Sequence, residues 1–224
     1  MPNKIRLMIM DDHQSIVDGY LYRLSSFPEI EVVATLAYGD ELESALQEKP
    51  ANVLVLDVHV PISPKNSNPY PILHTIPKLL QEYPDLAILV ISMYDERSLI
   101  RAIVEAGASG YILKNDRQRI QDLGKAIISI AEGGVCFSEK ALKAFLTKKD
   151  EPFTTRELEA LSLSAAYPNS KTAELAHKMK IANSTLRNLL SSIYLKLDVH
   201  TRAAAIAKAR QMGIITPDSM AMQL

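Results

Sequence analysis

Two different rhythms of apolar and polar residues divide this chain. In its first half, short apolar runs alternate with stretches whose apolar residues recur every three or four positions. Ile5–Met10, 31–36, Val53–Leu56, 86–91 and Gly110–Leu113 read as strands. Between and after them, 15–25, 41–48, 72–81, 96–106 and a segment from Arg117 read as helices. Ile16, Val17, Tyr20, Leu21 and Leu24 share one face of the first helix, and Ile120, Leu123, Ile127 and Ile130 one face of the last. Five strand–helix units in succession predict a doubly wound five-stranded parallel sheet, since a parallel pair needs a crossover that is usually helical.

After Gly133-Gly134 the strand rhythm stops and four helical segments follow. Thr154 with Glu157 makes a capping box before 158–165, where hydroxyl and carboxylate satisfy orphan N–H groups. Ser170 opens a second helix reaching Met179, Asn183 or Ser184 a third reaching Leu197, and Thr201 a fourth ending at Gly213. The second and third, joined by 180–182, have helix-turn-helix dimensions. The expected organisation is therefore an α/β domain over 1–132, a linker over 133–152 with a short helix in 137–146, and an all-α four-helix domain over 153–224. Pro61, Pro64, Pro69, Pro71 and Pro77 cluster after the third strand, so regular helix is not expected before Ile72.

The chain has 224 residues, 47% of them hydrophobic, which suffices for two cores. Its net charge of −1 is unevenly spread: residues 151–224 hold nine Lys/Arg against six Asp/Glu, leaving sixteen against twenty for the rest. The tail mildly favours a polyanionic partner. Cys136 is the only cysteine, which excludes an intrachain disulfide and a cysteine-based zinc site. With no apolar stretch of membrane-spanning length and no cleavage pattern, a cytoplasmic protein without membrane association is expected.

Asp11, Asp12, Asp57 and Lys114 each follow a predicted strand, and Ser92 ends another. In an open α/β sheet ligands bind beyond the carboxyl ends of the strands, so these side chains are expected to converge. Three carboxylates and water suit Mg²⁺, which prefers oxygen ligands in octahedral array. An aspartate can serve as nucleophile and form an acyl phosphate, with Lys114 and Ser92 set to hold phosphate oxygens.

The runs 8–13, 54–61, 91–93 and 108–114 resemble, in order and spacing, the motifs of a response-regulator receiver domain over about 4–132. That resemblance implies a flavodoxin-like fold with Asp57 as phosphoacceptor. It implies Asp12, Asp57 and the His59 carbonyl as Mg²⁺ ligands, with Asp11 acting through water. Ser92 and Tyr111 would form the switch pair, with Lys114 on the phosphate. Residues 153–215 resemble the LuxR-type helix-turn-helix through 153–161, 173–176, 184–187 and 193–197, so the whole chain is similar to a NarL/FixJ-type transcriptional regulator. It departs from the family in the glycine-free segment 62–71 and in a recognition helix with few basic residues.

On the third C-terminal helix, Leu186, Leu189, Leu190, Ile193 and Leu197 form one stripe, which leaves Ser184, Arg187, Asn188 and Ser191 outward. Arg187 can pair with guanine and Asn188 with adenine, while Lys171, Lys178, Lys180, Lys196 and Arg202 are candidates for backbone phosphates. The expected function is a non-enzymatic regulator, phosphorylated by a sensor histidine kinase and binding double-stranded DNA as a homodimer. Two alternatives stand beside it: a degenerate helix-turn-helix acting through protein contacts, and a regulator independent of phosphorylation.

Overall fold

The computed structural model describes residues 4–146 and 153–217. Residues 147–152 of the expected linker, and the two chain ends, lie outside the described residues. The first domain is built on β1 (Ile5–Met10), β2 (Ile30–Leu36), β3 (Val53–Leu56), β6 (Ala87–Ser92), β7 (Gly110–Leu113) and β8 (Cys136–Phe137), all parallel and in the order β2-β1-β3-β6-β7-β8. The sheet thus has six strands, which corrects the expected five. The sixth, β8, forms because Gly133, at φ +85°, turns the chain back beside β7. Gly110 lets it close, since a Cβ there would lie 2.2 Å from the Cys136 carbonyl oxygen.

Alternate strand residues point to opposite faces, and both faces are covered. Leu7, Ile9, Val53, Val55, Leu89 and Ile91 pack under α1 (Gln14–Leu24) and α6 (Leu123–Ala131). Met8, Met10, Leu54, Leu56, Ile88 and Val90 pack under α2 (Leu42–Glu48), α3 (Ile72–Glu82) and α4 (Arg97–Glu105). A continuous run of apolar residues is what burial on both sides of a parallel sheet requires. The helix expected from Arg117 is broken at Asp122 into α5 (Arg117–Gln121) and α6.

The proline-rich segment after β3 is an antiparallel hairpin, β4 (Pro61–Ser63) and β5 (Asn66–Pro69), with Pro61 opposite Pro69. A two-stranded sheet leaves both outer edges free, so proline's missing N–H costs no ladder bond there. Past β8, α7 (Glu139–Leu146) packs on α4, with Ala141 fully buried. The Ser138 hydroxyl accepts from the Leu113 N–H at 2.9 Å, joining this segment to the sheet.

The four C-terminal helices are α8 (Thr155–Ala166), α9 (Thr172–Lys178), α10 (Asn183–Leu197) and α11 (Arg202–Gln211). The Thr154–Glu157 capping box opens α8. Lys180 adopts φ +54° in the turn between α9 and α10. Helix α8 docks on α3, α4 and β5, with the Asn68 side chain donating to the Ala166 carbonyl at 3.2 Å. Ser98, in the first turn of α4, donates to the Gly213 carbonyl at 3.0 Å. The buried apolar residues on the α2–α3–α4 side of the sheet and those of the C-terminal helices form one connected cluster. No helix among the described residues is long and apolar enough to cross a membrane.

Candidate functional site

Register brings the strand ends level. Met10 pairs with Leu56 and Leu56 with Val90, so β1, β3 and β6 release their chains at one edge. The Asp57 N–H donates to the Met10 carbonyl at 2.8 Å and the Lys114 N–H to the Ser92 carbonyl at 2.8 Å, which extends the ladder to the site residues themselves. There the Lys114 ammonium lies 2.7 Å from an Asp11 carboxylate oxygen and 2.9 Å from one of Asp57. Asp11 and Asp57 are buried, while Asp12 opens to solvent beside them. Sequence reasoning predicted all four as neighbours, and the structure brings them together.

Electrostatics and burial pull against each other in this pocket. Burial, assisted by the charge of Asp11, raises the Asp57 carboxyl above the usual range, although Lys114 and the His59 backbone N–H favour its anion. For Lys114, burial alone would lower the ammonium pKa. The nearby Asp57 and Asp11 outweigh burial and raise it, so the lysine stays charged. Asp11, Asp12, His13 and Asp57 each offer a ligand atom within 4.8 Å of the others. Three carboxylates are the oxygen-rich donors that a hard divalent ion accepts, so the residues present fit Mg²⁺.

His13 was not singled out from sequence. Its Nδ1 lies 2.7 Å from Asp12, and its N–H donates to Asp11 at 2.9 Å. Its position directly after the Asp11-Asp12 pair was the available signal. The His59 ring lies half-buried beside Tyr94, with ring centroids 6.4 Å apart.

From the pocket a second set of contacts runs into the fold. Ser92 is fully buried at the end of β6, and its hydroxyl oxygen accepts from the Tyr94 N–H at 3.2 Å. The Tyr111 ring is also fully buried, and its hydroxyl donates to the Tyr94 carbonyl at 2.7 Å. Burial pushes the Tyr111 phenol far above its ordinary pKa, which keeps it a donor. Tyr94, which was not predicted, therefore links Ser92 to Tyr111. Two residues further on, Glu96 precedes α4 and packs against Gly213.

On the C-terminal domain, Ser184, Arg187, Asn188 and Ser191 lie exposed on α10 as expected, and Lys180 is exposed in the preceding turn. Lys171 and Arg202 flank a trough of about 550 Å³ beside Tyr194. Two predicted phosphate contacts are placed differently. The Lys196 ammonium reaches back to the buried Glu157, 2.6 Å away, where Ser192 also donates at 2.6 Å. Lys178 lies 4.4 Å above the Tyr167 ring, in an interdomain cleft that also holds His74 and Lys78. Both placements follow from the packing of α8, which helical periodicity within α9 and α10 does not reveal.

Residues 7–125 match the response regulator receiver domain family. Over its whole length the chain is similar to the transcriptional regulatory protein MctR of Rhizobium johnstonii, at 31% identity covering 95% of this chain and 96% of that protein. The transcriptional regulatory protein DegU of Brevibacillus brevis is 28% identical, covering 94% and 95%. Among solved structures, RcsB of Salmonella enterica serovar Typhimurium, bound to promoter rprA with a phosphomimetic, is 22% identical. It superposes with a TM-score of 0.56, covering 92% of this chain and 98% of that one, and supports the shared fold.

Proposed function

The chain belongs to the response regulators, with an N-terminal receiver domain, and from that premise we propose that Mg²⁺-dependent phosphorylation of Asp57 switches DNA binding by the C-terminal helices. The observation that carries this reading is the Lys114 ammonium bridging buried Asp11 and Asp57 beside Asp12. Asp57 is the nucleophile: its carboxylate oxygen attacks phosphorus, the P–N bond of a donor phosphohistidine breaks, and an acyl phosphate forms. Lys114 holds Asp57 as the anion before attack and pairs with a phosphoryl oxygen afterwards. Asp12, Asp57 and the His59 carbonyl would hold Mg²⁺ directly and Asp11 through water. Bound there, the ion supplies charge neutralisation for the phosphoryl oxygens. The phosphodonor partner is a sensor histidine kinase.

Phosphorylation adds charge next to Ser92, and the Ser92–Tyr94–Tyr111 contacts give that charge a route into α4. Because α4 also meets Gly213 and α7, a shift there alters how the output helices are held. The two-state element is this α4 contact, biased by charge at the pocket. In the output domain Arg187, Asn188, Ser184 and Ser191 read bases, while Lys171, Lys180 and Arg202 position the duplex. The named relatives are transcriptional regulators, and RcsB was solved on a promoter and as dimers bound to DNA, which supports DNA as the partner and a homodimer as the active form. The domains are 1–132, 133–152 and 153–224 in this reading, with β8 and α7 fastening the middle segment to the receiver.

A second reading has a specific observation behind it. With the Lys178 and Lys196 ammonium groups already partnered by Tyr167 and Glu157, fewer unpaired cations remain for a duplex, which favours an output domain acting through protein contacts. The test of the phosphoacceptor is labelling by a small phosphodonor with Mg²⁺. Asp57→Asn should abolish the label, and undiminished label on that variant would move the phosphoacceptor elsewhere.

A further inference from the structure

Leu195 is 84% exposed, the most exposed large apolar side chain among the described residues. It is not scattered at random on the surface. From Ser184, the positions i+4, i+7 and i+11 of α10 are Asn188, Ser191 and Leu195, so Leu195 continues the stripe that carries the proposed base contacts. The rotation of the helix is fixed from beneath: the adjacent Lys196 is held on the buried Glu157 of α8. The buried stripe of Leu186, Leu190, Ile193 and Leu197 faces the domain core, which turns Leu195 out.

A second observation gives a phosphate strand a seat at this end of the helix. The trough between the start of α9, α10 and the start of α11 is bordered by Lys171 and Arg202, with Tyr194 on its wall and no carboxylate lining it. A phosphate strand tracked along that trough passes next to Tyr194. The neighbouring residue on the groove side is Leu195. The feature of the major groove that complements an aliphatic side chain is the 5-methyl group of thymine.

We infer that Leu195 is a specificity-determining residue that contacts the 5-methyl group of a thymine in the site that α10 reads. The inference rests on the proposal that α10 reads DNA. Leu195 lies seven residues beyond Asn188, about 10 Å along the helix, so its base pair is roughly three steps from the one Asn188 reads.

The test uses full-length protein and a randomised duplex pool, from which bound sequences are selected for wild type, Asn188→Ala and Leu195→Ala. Because Leu195 is exposed, its truncation leaves the fold intact. The expected result is a thymine preference lost only in Leu195→Ala, roughly three base pairs from the preference lost in Asn188→Ala. Replacing that thymine by uracil, which removes only the methyl group, should weaken wild-type binding about fourfold, the equivalent of about 0.8 kcal/mol, and leave Leu195→Ala binding unchanged. A consensus identical for wild type and Leu195→Ala, or equal affinity for the thymine and uracil duplexes, overturns the inference while leaving DNA reading intact. Failure of wild type to enrich any sequence overturns DNA reading itself, and this inference with it.

Discussion

Replacing Lys114 by methionine keeps most of the side-chain volume and removes the one ammonium shared by Asp11 and Asp57. Both carboxylates stay buried. Removing one partner of a buried ion pair costs about 3–5 kcal/mol, because the remaining charge is uncompensated. For a domain of this size that lowers the melting midpoint by roughly 6–20 °C. Part of the cost is relieved by protonation. The Asp57 carboxyl already sits above the ordinary range through burial and Asp11, with Lys114 the largest influence opposing them. Without Lys114 it rises further. A folded pKa above the unfolded value means that the folded state binds the proton more tightly. Stability is therefore greatest below the unfolded carboxylate pKa and falls as pH rises through the folded one. The deficit of the variant should be larger at about pH 7.5 than at about pH 5. Added Mg²⁺ should recover more stability in the variant than in wild type, because it restores positive charge to the same carboxylates. Thermal unfolding followed by circular dichroism, in EDTA and in Mg²⁺, measures all three effects. A variant that melts with wild type in EDTA at the higher pH, or a deficit independent of pH, would refute the reasoning.

Three further outcomes follow from the contacts around the two domains. Tyr111→Phe should cost about 1 kcal/mol in urea denaturation by removing the buried hydroxyl's bond to the Tyr94 carbonyl, and no loss would show that bond to be energetically idle. Gly213→Ala forces an L-residue into φ +61° and sets a Cβ 2.3 Å from Glu96 Cγ, so the α4 contact should open and the radius of gyration from X-ray scattering should rise; an unchanged curve counts against that contact. Lys196→Met should destabilise the C-terminal domain by about 1.5–3 kcal/mol by taking a charged partner from Glu157. Although burial opposes it, bonds from Lys196, Ser192 and Thr154 hold the Glu157 carboxyl below its ordinary range. The loss should therefore be complete above that range and fade as pH falls through the folded pKa. The salt dependence of DNA binding should not change, whereas a slope reduced by about one would make Lys196 a phosphate contact.

The receiver core was legible because burial on both faces of a parallel sheet writes itself as uninterrupted apolar runs, as in Val53–Leu56 and Ala87–Ser92. The pocket was legible for a related reason. Asp11, Asp57 and Lys114 sit one residue beyond such runs, and a parallel sheet puts every such position at one edge. What stayed hidden lacked a period. β8 is two residues long and depends on Gly110 accepting a close carbonyl, which no local pattern announces. The β4–β5 hairpin alternates poorly and carries prolines at both ends, so it read as irregular chain. Tyr94 and the partners that Lys196 and Lys178 find on Glu157 and Tyr167 are products of packing between elements far apart in sequence. A charged residue on an amphipathic helix looks the same whether it meets solvent, a phosphate or a buried glutamate.

The coupling of Asp57 to the output helices is tested most directly by fluorescence anisotropy on fragmented DNA of the source genome at fixed salt, with and without beryllofluoride and Mg²⁺. The account predicts tighter binding with the phosphoryl mimic, and loss of that gain in Asp57→Asn. Equal affinity in both states would contradict it.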